Sequence, residues 1–307
     1  MKKNNVKSKW YSAIIIIALL ALLSFIVSGF ISLFIGEDIQ DGNVALITVK
    51  GIISSEDAAG FGSTVAASQT IVDFIEDADK SPKIKAIIFE INSPGGSPVA
   101  SEEIANAIKM TNKTTIAWIR EMGTSGAYWI ASSCDKIVAS RASFTGSIGV
   151  IASYLEVSGF LEDHNVTYER MIAGKYKDIG SPFKPLSVEE KRLFQNQLDN
   201  LHNYFIETVA ENRNLPKSKV KEIATGMFYL GEEAKRLGLV DVLGGKEEAK
   251  TIIKNKLNIT VELVEYREET GLLDILGELS TKQSFFVGKG IGDSLLDTKN
   301  SKLEIWT

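Results

Sequence analysis

The sequence predicts an α/β fold in which βαβ units build a largely parallel sheet, preceded by one N-terminal transmembrane helix. Short apolar runs that suit buried strands alternate with segments whose apolar residues recur at helical spacing. The chain has 307 residues, of which 44% are hydrophobic and 24% charged, and this ordinary globular composition excludes a disordered or collagen-like chain. Near the N-terminus, a long uncharged run is apolar enough to cross a bilayer.

Charge and metal-ligand content exclude several function classes. The formal net charge of -5 argues against a nucleic-acid-binding protein, which usually needs a basic surface. Cys134 is the single cysteine, so the chain can form neither an internal disulfide nor a cysteine-based zinc site. The two histidines, His164 and His202, are too few for most histidine-based metal centres.

The N-terminal apolar run is predicted to be a retained membrane anchor over residues 13–36, after a basic tail at 1–12. At about 1.5 Å per residue, its core of 23 residues covers about 35 Å, and a hydrocarbon layer is about 30 Å thick. The alternative, a cleaved signal peptide, would have a shorter run and a small-residue cleavage site, and no such site follows here.

Charges on either side of the anchor predict its orientation. Four lysines precede it and three acidic residues follow it: Lys2, Lys3, Lys7, Lys9, Glu37, Asp38 and Asp41. By the positive-inside rule, the tail is cytoplasmic and residues 37–307 lie on the outer face of the cell membrane.

The chain after the anchor is predicted to be one α/β domain, with a tail of unknown role at its end. Strands are expected at 44–49, 84–91, 115–120, 136–139 and 166–171. Helices are expected around 71–78, at 101–110, from Ser125, at 157–164 and at 187–213, the last opened by a capping box of Ser187 and Glu190. Residues 50–67, which contain Gly60 and Gly62, are expected to form a loop.

A serine at a strand-to-helix junction is the first candidate for chemistry. Ser125 follows Gly123 and Thr124 and precedes Gly126 and Ala127. Such a serine exposes its hydroxyl at a strand end, beside helical N–H groups that favour a developing negative charge. The alternative is that Ser125 serves only as a helix N-cap.

Two glycine-bearing turns are expected to lie at the same edge of the sheet. The segment 92–96 (NSPGG) follows a strand, and its consecutive glycines could direct backbone N–H groups at a carbonyl oxygen. The segment 145–150 (TGSIGV) suggests a tight turn that brings two hydroxyl groups to one place. Either segment could instead be an ordinary turn or loop.

Lys177 is a candidate general base in the segment 175–178 (KYKD). A lysine base must be neutral, and burial is the usual way in which a lysine pKa is lowered. Asp178 would oppose this because a nearby carboxylate favours the charged amine. If the segment is extended, Asp178 faces away from Lys177, and the alternative is a solvated Lys–Asp pair.

The histidines and the cysteine are less suited to catalysis. His164 lies near the end of a short predicted helix, and His202 lies on the long one, so both are expected at the surface. Neither stands in a glycine-rich loop, which argues against a Ser-His triad. Cys134 is expected to pack at a helix end rather than react.

Five motifs in order resemble the signal peptide peptidase A family of membrane-anchored Ser-Lys peptidases, which have the ClpP/crotonase fold of repeated ββα units. The resemblance covers residues 44–245 of a chain with a single catalytic unit, as in the short form of the family. The motifs are NSPGG at 92–96, SGAYWIAS at 125–132, TGSIGV at 145–150, YKDIGSP at 176–182 and LGLVDVLG at 237–244.

The resemblance implies a role for each candidate residue. Ser125 would be the nucleophile, Lys177 the general base and Ser147 the residue that orients the lysine. Gly96 and Gly126 would donate the oxyanion-hole N–H groups. Residues 37–264 would then be the peptidase domain and 265–307 a tail without an assigned role.

The resemblance also implies the substrates and the assembly. No cofactor would be needed, and the substrates would be remnant signal peptides or other apolar peptides at the membrane. The protein would form a homo-oligomeric ring in which the serine of one subunit meets the lysine of a neighbour.

Three other functions fit parts of the sequence. A stomatin-operon-type membrane serine protease shares the fold and the Ser-Lys pair, but it usually carries further C-terminal transmembrane helices. A crotonase-like acyl-CoA enzyme shares the fold and the oxyanion glycines but has little reason for an outward-facing anchor. A non-catalytic membrane assembly protein would have no activated serine.

The charge asymmetry around residues 13–36 predicts the topology of the chain. Protease added to intact spheroplasts should digest residues 37–307, because the positive-inside rule places them outside. Immunoblotting with an antibody against this domain would follow the digestion, and a cytoplasmic protein serves as the control for intact membranes. Protection of the domain until detergent is added would contradict the predicted orientation.

Overall fold

A computed structural model describes residues 15–26, 42–56 and 64–267, in which strands and helices alternate. The strands are β1 (Val44–Ser54), β2 (Val65–Ala67), β3 (Ala86–Gly96), β4 (Thr114–Thr124), β5 (Lys136–Ala139), β6 (Phe144–Gly146), β7 (Phe228–Leu230), β8 (Val242–Leu243) and β9 (Leu263–Tyr266). The helices are α1 (15–26), α2 (Ser68–Lys80), α3 (Pro98–Met110), α4 (Gly126–Ser132), α5 (Ser158–Asp163), α6 (Val188–Arg213), α7 (Lys217–Ile223), α8 (Gly231–Leu237) and α9 (Lys246–Leu257).

The sheet is almost entirely parallel, which confirms the α/β prediction. Its strands run in the order β2-β1-β3-β4-β5-β8, and every neighbouring pair in this order is parallel. β9 joins the outer edge of β1 at residues 44–47, and β2 pairs with the same edge at 52–54. β6 pairs with the last residues of β4, beyond those that pair with β5, and β7 pairs antiparallel with β6.

Alternating side chains of the central strands fill a core on each face of the sheet. In β1, Val44 and Leu46 pack with α9 residues on one face, and Ala45, Ile47 and Val49 belong to the larger core on the other. The larger core includes buried residues of α2, α3, α4, α6, α7 and α8. Successive side chains of a strand point to opposite faces, so a strand that is buried on both faces needs apolar residues at consecutive positions.

Helix α4 is the element that ties the sheet to the long helix α6. All seven of its residues are buried. Trp129 stacks on Phe205 of α6 with ring centroids 4.7 Å apart, and the Tyr128 hydroxyl donates to the Leu239 carbonyl over 2.9 Å. These contacts fix the position of the turn that precedes α4.

Several predicted elements are present as expected. The strand predicted at 115–120 lies within β4, and the strand predicted at 136–139 coincides with β5. The capping box at the start of α6 is formed, since the Glu190 amide donates to Ser187 Oγ and the Ser187 amide donates to the Glu190 carboxylate. The short helix predicted at 157–164 is α5.

Two predictions about local structure were wrong. Residues 166–171 do not form a strand, because no strand of the described chain runs beside them. The loop predicted at 50–67 is strand at both ends: β1 continues to Ser54 by pairing with the end of β3, and β2 occupies 65–67. Residues 57–63 lie outside the described part of the chain.

The predicted anchor is only partly described. Within the span 13–36, residues 15–26 form α1, and its apolar side chains are exposed. Across residues 15–26, 42–56 and 64–267, none of the helices has both the length and the hydropathy needed to cross a bilayer. The rest of the predicted anchor, the basic tail and residues 268–307 lie outside the described residues.

A buried ion pair joins the C-terminal end of α6 to the sheet. The Arg213 guanidinium lies 2.9 Å from an Asp241 oxygen and is only 8% exposed. The same carboxylate accepts the Ile137 amide over 2.8 Å and lies 3.2 Å from the Lys136 amine, which is 53% exposed. Burial raises the pKa of Asp241. The hydrogen bond and positive charge of Arg213, together with the hydrogen bond from the Ile137 amide, outweigh this effect, so the pKa of Asp241 lies below its ordinary value.

Arg213→Met should therefore lower the free energy of unfolding at pH 7 by about 2–3 kcal/mol, because it leaves a buried carboxylate without its main partner. Lys136→Met removes an exposed partner of the same carboxylate and should cost below about 1 kcal/mol. A carboxyl with a lowered folded pKa stabilises the protein above its unfolded pKa and loses that contribution as the pH falls. The Arg213→Met deficit should thus shrink below about pH 4.

Urea unfolding of the full-length chain in detergent, followed by tryptophan fluorescence at pH 7 and pH 3.5, measures both effects. Equal losses in the two variants, or an Arg213→Met deficit that does not change with pH, would contradict this account.

Candidate active site

The turn between β4 and α4 holds Ser125 in a strained backbone conformation. Its φ is 54° and its ψ is −127°, a combination that costs a residue with a side chain about 1–3 kcal/mol. Three backbone hydrogen bonds hold the turn: the Ser125 amide donates to the Gly146 carbonyl over 2.8 Å, and the Ser125 carbonyl accepts from the amides of Tyr128 and Trp129. The strain persists because the surrounding structure fixes this residue from both sides.

The simple N-cap interpretation of Ser125 does not account for its side chain. Ser125 occupies the N-cap position of α4, but its hydroxyl makes no capping hydrogen bond. The half-buried side chain also has no hydrogen-bond partner among the described residues, so its hydroxyl is free to act on a bound molecule.

Two glycine turns touch beside Ser125. Gly95, at the end of β3, has a φ of +98°, and a Cβ placed there would lie 2.8 Å from both the Gly126 nitrogen and the Ser125 Cβ. A Cβ on Gly126 would overlap the Ser101 hydroxyl and lie 3.4 Å from the Gly96 nitrogen. The two backbones approach this closely because neither residue carries a side chain.

Gly96 lies against the Ser125 turn and lines the same pocket as Ser125. The Ser97 amide donates to the Ile53 carbonyl of β1 over 2.8 Å. Gly96 is paired with Ile53 in the β1–β3 register, and its nitrogen lies against Gly126, since a Cβ placed on Gly126 would come within 3.4 Å of it. The amides of Gly96 and Gly126 thus lie next to each other beside the Ser125 hydroxyl, an arrangement that suits an oxygen that gains negative charge.

Ser147 lies next to Ser125 at the same edge of the sheet. Thr124 and Gly146 are paired in the β4–β6 register, so the two serines follow adjacent strands. Ser147 also has a positive φ, of 50°. Its hydroxyl donates to the Gly226 carbonyl over 3.0 Å, and its amide donates to the Met227 carbonyl. The Thr145 hydroxyl, the other hydroxyl of the segment 145–150, donates to the Gly123 carbonyl, and Ser147 makes no hydrogen bond to Lys177.

Lys177 is exposed and lies in a turn rather than in an extended segment. Its amide donates to the Gly174 carbonyl over 3.1 Å. Within the described part of the chain, its amine forms neither a hydrogen bond nor an ion pair, and Lys177 does not line the pocket beside Ser125. The contacts within one chain therefore bring together Ser125, Ser147, Gly96 and Gly126 but not Lys177.

An apolar pocket of about 110 Å³ opens beside Ser125. The glycines 96, 126 and 149 form part of its wall, and the side chains that complete it are Pro98, Ser125, Trp129, Val150, Ile151, Leu201 and Phe205. Trp129, Leu201 and Phe205 were not predicted from the sequence as site residues. The four-residue spacing of Leu201 and Phe205 shows that they share a helix face, but only the packing of α6 on α4 places that face at Ser125.

The other candidate residues lie apart from this pocket. His164 is exposed at the end of α5, where its Nδ1 lies 2.8 Å from the Phe160 carbonyl oxygen. His202 lies on α6 and its Nε2 is buried without a partner among the described residues. Cys134 is buried, and burial raises the pKa of its thiol. Among the residues that the structure describes, no group of three His, Cys, Asp or Glu side chains is placed to bind a metal ion.

Sequence comparison adds information that is independent of this geometry. A family model described as peptidase family S49 matches residues 107–260. A protein of Methanocaldococcus jannaschii that is named as a protease is 34% identical over 241 residues, which are 76% of this chain and 76% of that protein. A protein of Enterococcus faecium that is named as a signal peptide peptidase SppA is 32% identical over 239 residues, which are 76% of this chain and 70% of that protein.

A longer relative and a solved structure extend the comparison. The chloroplast serine protease SPPA of Arabidopsis thaliana is 34% identical over 76% of this chain, which corresponds to 35% of that protein. A mutant of the 1510-N membrane-bound stomatin-specific protease matches the fold with a TM-score of 0.50 and 16% identity, over 75% of this chain and 99% of that one. At 16% identity, this likeness shows a common fold and nothing more specific.

Proposed function

The chain belongs to peptidase family S49, and from this premise we propose that it is a membrane-anchored serine endopeptidase in which Ser125 is the nucleophile and Lys177 the general base. The observation that carries the proposal is the strained turn at Ser125, whose uncommitted hydroxyl lies beside the amides of Gly96 and Gly126. A residue held in a costly conformation at a pocket is typical of a functional site.

The proposed reaction is acyl transfer without a cofactor. The neutral Lys177 amine takes the proton from the Ser125 hydroxyl, whose oxygen attacks the scissile carbonyl carbon. The amides of Gly96 and Gly126 stabilise the oxyanion, and the lysine then gives its proton to the leaving amine. Water, activated by the same lysine, attacks the acyl-enzyme and releases the serine.

Ser147 is proposed to orient the lysine. Its hydroxyl hydrogen is directed to the Gly226 carbonyl, which leaves the oxygen lone pairs free to accept a hydrogen bond. An amine that donates to Ser147 would keep its own lone pair for the Ser125 proton. The positions of the two serines after adjacent strands support this geometry.

The dyad is proposed to form between subunits of a homo-oligomeric ring. Lys177 makes no hydrogen bond to Ser125 in its own chain and does not line the pocket beside it, and the segment that carries Lys177 exposes large apolar side chains. Ile151, Leu155 and Met171 are 85%, 83% and 96% exposed. Apolar residues exposed together on one segment are typical of an interaction surface, and a neighbouring subunit in a head-to-tail ring would cover them.

The substrates are proposed to be remnant signal peptides or other apolar peptides. The pocket beside Ser125 is lined mainly by apolar side chains, and the Enterococcus relative carries the name of a signal peptide peptidase. An anchor at residues 13–36 would hold the site near the membrane where such peptides are released. No observation favours a stomatin-like substrate, because the likeness to the stomatin-specific protease extends only to the fold.

Ser125→Ala and Lys177→Ala should each abolish hydrolysis of a fluorogenic apolar peptide, and His164→Ala should leave it largely intact. Ser125 supplies the attacking oxygen and Lys177 the base, whereas His164 contacts its own helix. A fluorophosphonate probe should label the wild type and His164→Ala but not Ser125→Ala. Probe labelling of Ser125→Ala, or peptide hydrolysis by Lys177→Ala, would contradict the proposed dyad.

Co-assembly of two inactive variants tests the shared site. If Ser125→Ala and Lys177→Ala chains mix at random, each interface has an intact serine half of the time and an intact lysine half of the time. About a quarter of the wild-type activity should then return, as expected for a heterologous ring interface. A mixed assembly, verified with two affinity tags, that stays inactive would place both residues of the dyad in one chain.

A further inference from the structure

Three of the four side chains in the segment 175–178 have charged or polar partners, and Lys177 is the exception. Lys175 pairs with Glu189 of α6 over 2.8 Å, and the Tyr176 hydroxyl donates to the same carboxylate. Asp178 is held by Arg170 from the preceding part of the loop. The Lys177 amine is thus the one side-chain group of this segment that is left for a reacting molecule.

Arg170 forms a bidentate contact with both oxygens of the Asp178 carboxylate. Its Nε donates to one oxygen, and a terminal nitrogen donates to the other over 2.8 Å. Lys184 adds a second positive charge 3.8 Å from Asp178 and pairs with Glu190 of α6 over 2.6 Å. A two-pronged guanidinium–carboxylate contact fixes the direction of the carboxylate as well as its charge.

This arrangement removes the difficulty that Asp178 poses for a lysine base. A free carboxylate on the next residue would attract the Lys177 ammonium and favour its protonated form. The hydrogen bonds from Arg170 hold the pKa of Asp178 below its ordinary value, which reflects how strongly the carboxylate is committed. The pKa of Glu190 is lowered to about 2, first by its hydrogen bond from Lys184.

The ion pairs of the loop that carries Lys177 are balanced in charge. The Arg170–Asp178–Lys184–Glu190 cluster holds two positive and two negative groups, and the Lys175–Glu189 pair holds one of each. Besides Lys177, the titratable and charged groups on the loop and on the first turns of α6 are Tyr168, Glu169, Arg170, Lys175, Tyr176, Asp178, Lys184, Glu189, Glu190, Lys191 and Arg192, of which Glu169, Lys191 and Arg192 lie outside these ion pairs.

We propose that Arg170 is a positioning residue for catalysis, because it keeps Asp178 turned away from Lys177 and leaves the Lys177 amine available as the base. The inference rests on the proposed function, since it presumes that Lys177 accepts the Ser125 proton. Arg170 does not touch the substrate and acts only through Asp178 and the loop.

Opposite shifts of the pH–rate profile test this role in the full-length protein. Arg170→Met leaves the Asp178 charge unbalanced and should move the midpoint of kcat/KM to higher pH by about 0.5–1 unit. Asp178→Asn leaves the Arg170 charge unbalanced and should move the midpoint to lower pH by a similar amount. The double variant restores the balance and should return the midpoint close to that of the wild type.

Lys217→Met is the matched control, because it removes one positive charge from an ion pair with Glu207 that lies outside this loop. Its midpoint should not move. Arg170→Lys keeps the charge without the two-pronged contact, so the rate should fall while the midpoint stays near that of the wild type. Thermal unfolding of every variant shows whether it is folded, and the Arg170→Lys result keeps the test decisive if Asp178→Asn does not fold.

The outcomes separate this inference from the proposed function. If Lys177→Ala is inactive and Arg170→Met loses rate with an unmoved midpoint, Arg170 has only a structural role and the inference is wrong, whereas the dyad stands. If Lys177→Ala keeps its activity, Lys177 is not the general base, and both the proposed dyad and the proposed role of Arg170 are wrong.

Discussion

Contact between two backbone turns sets the geometry on which the rest of the structure depends. Gly95 and Gly126 leave no room for a Cβ between the end of β3 and the start of α4. That approach requires β3 to continue through Gly96 along β1, and it requires α4 to be buried as a whole between the sheet and α6. The strain at Ser125 and the proximity of the two amides are consequences of the same contact.

The sequence predicted β5 and the start of α6 most accurately. The bounds of β5 were predicted correctly from three consecutive apolar residues after Lys136, all of them buried, and the first turn of α6 carries its own capping residues. Residues 166–171 have a similar alternation, but Val166 and Tyr168 remain exposed and no strand lies beside them. Side-chain periodicity indicates a strand only when a partner exists, and a single sequence does not name the partner.

The candidate site was predictable where it depends on local sequence and unpredictable where it depends on tertiary contacts. The glycine motifs and Ser125 are encoded in short segments, so their residues could be identified directly. The role of Asp178 could not, because the sequence argument assumed an extended segment, whereas the turn directs its carboxylate to a residue eight positions earlier. The same holds for Ser147, whose partner Gly226 is remote in sequence.

The pairing of β1 with β9 imposes an order on the synthesis of this chain. Residues 44–47 are among the first of the domain to leave the ribosome, and their partners at 263–266 are among the last. Asn43 reinforces this closure, since its side chain donates to the Thr260 carbonyl and accepts the Glu262 amide. The outer edge of β1 at residues 44–47 therefore remains unpaired while more than two hundred residues are translated. An apolar strand edge left open for so long makes the nascent domain prone to aggregation, and it makes late folding a requirement of the architecture.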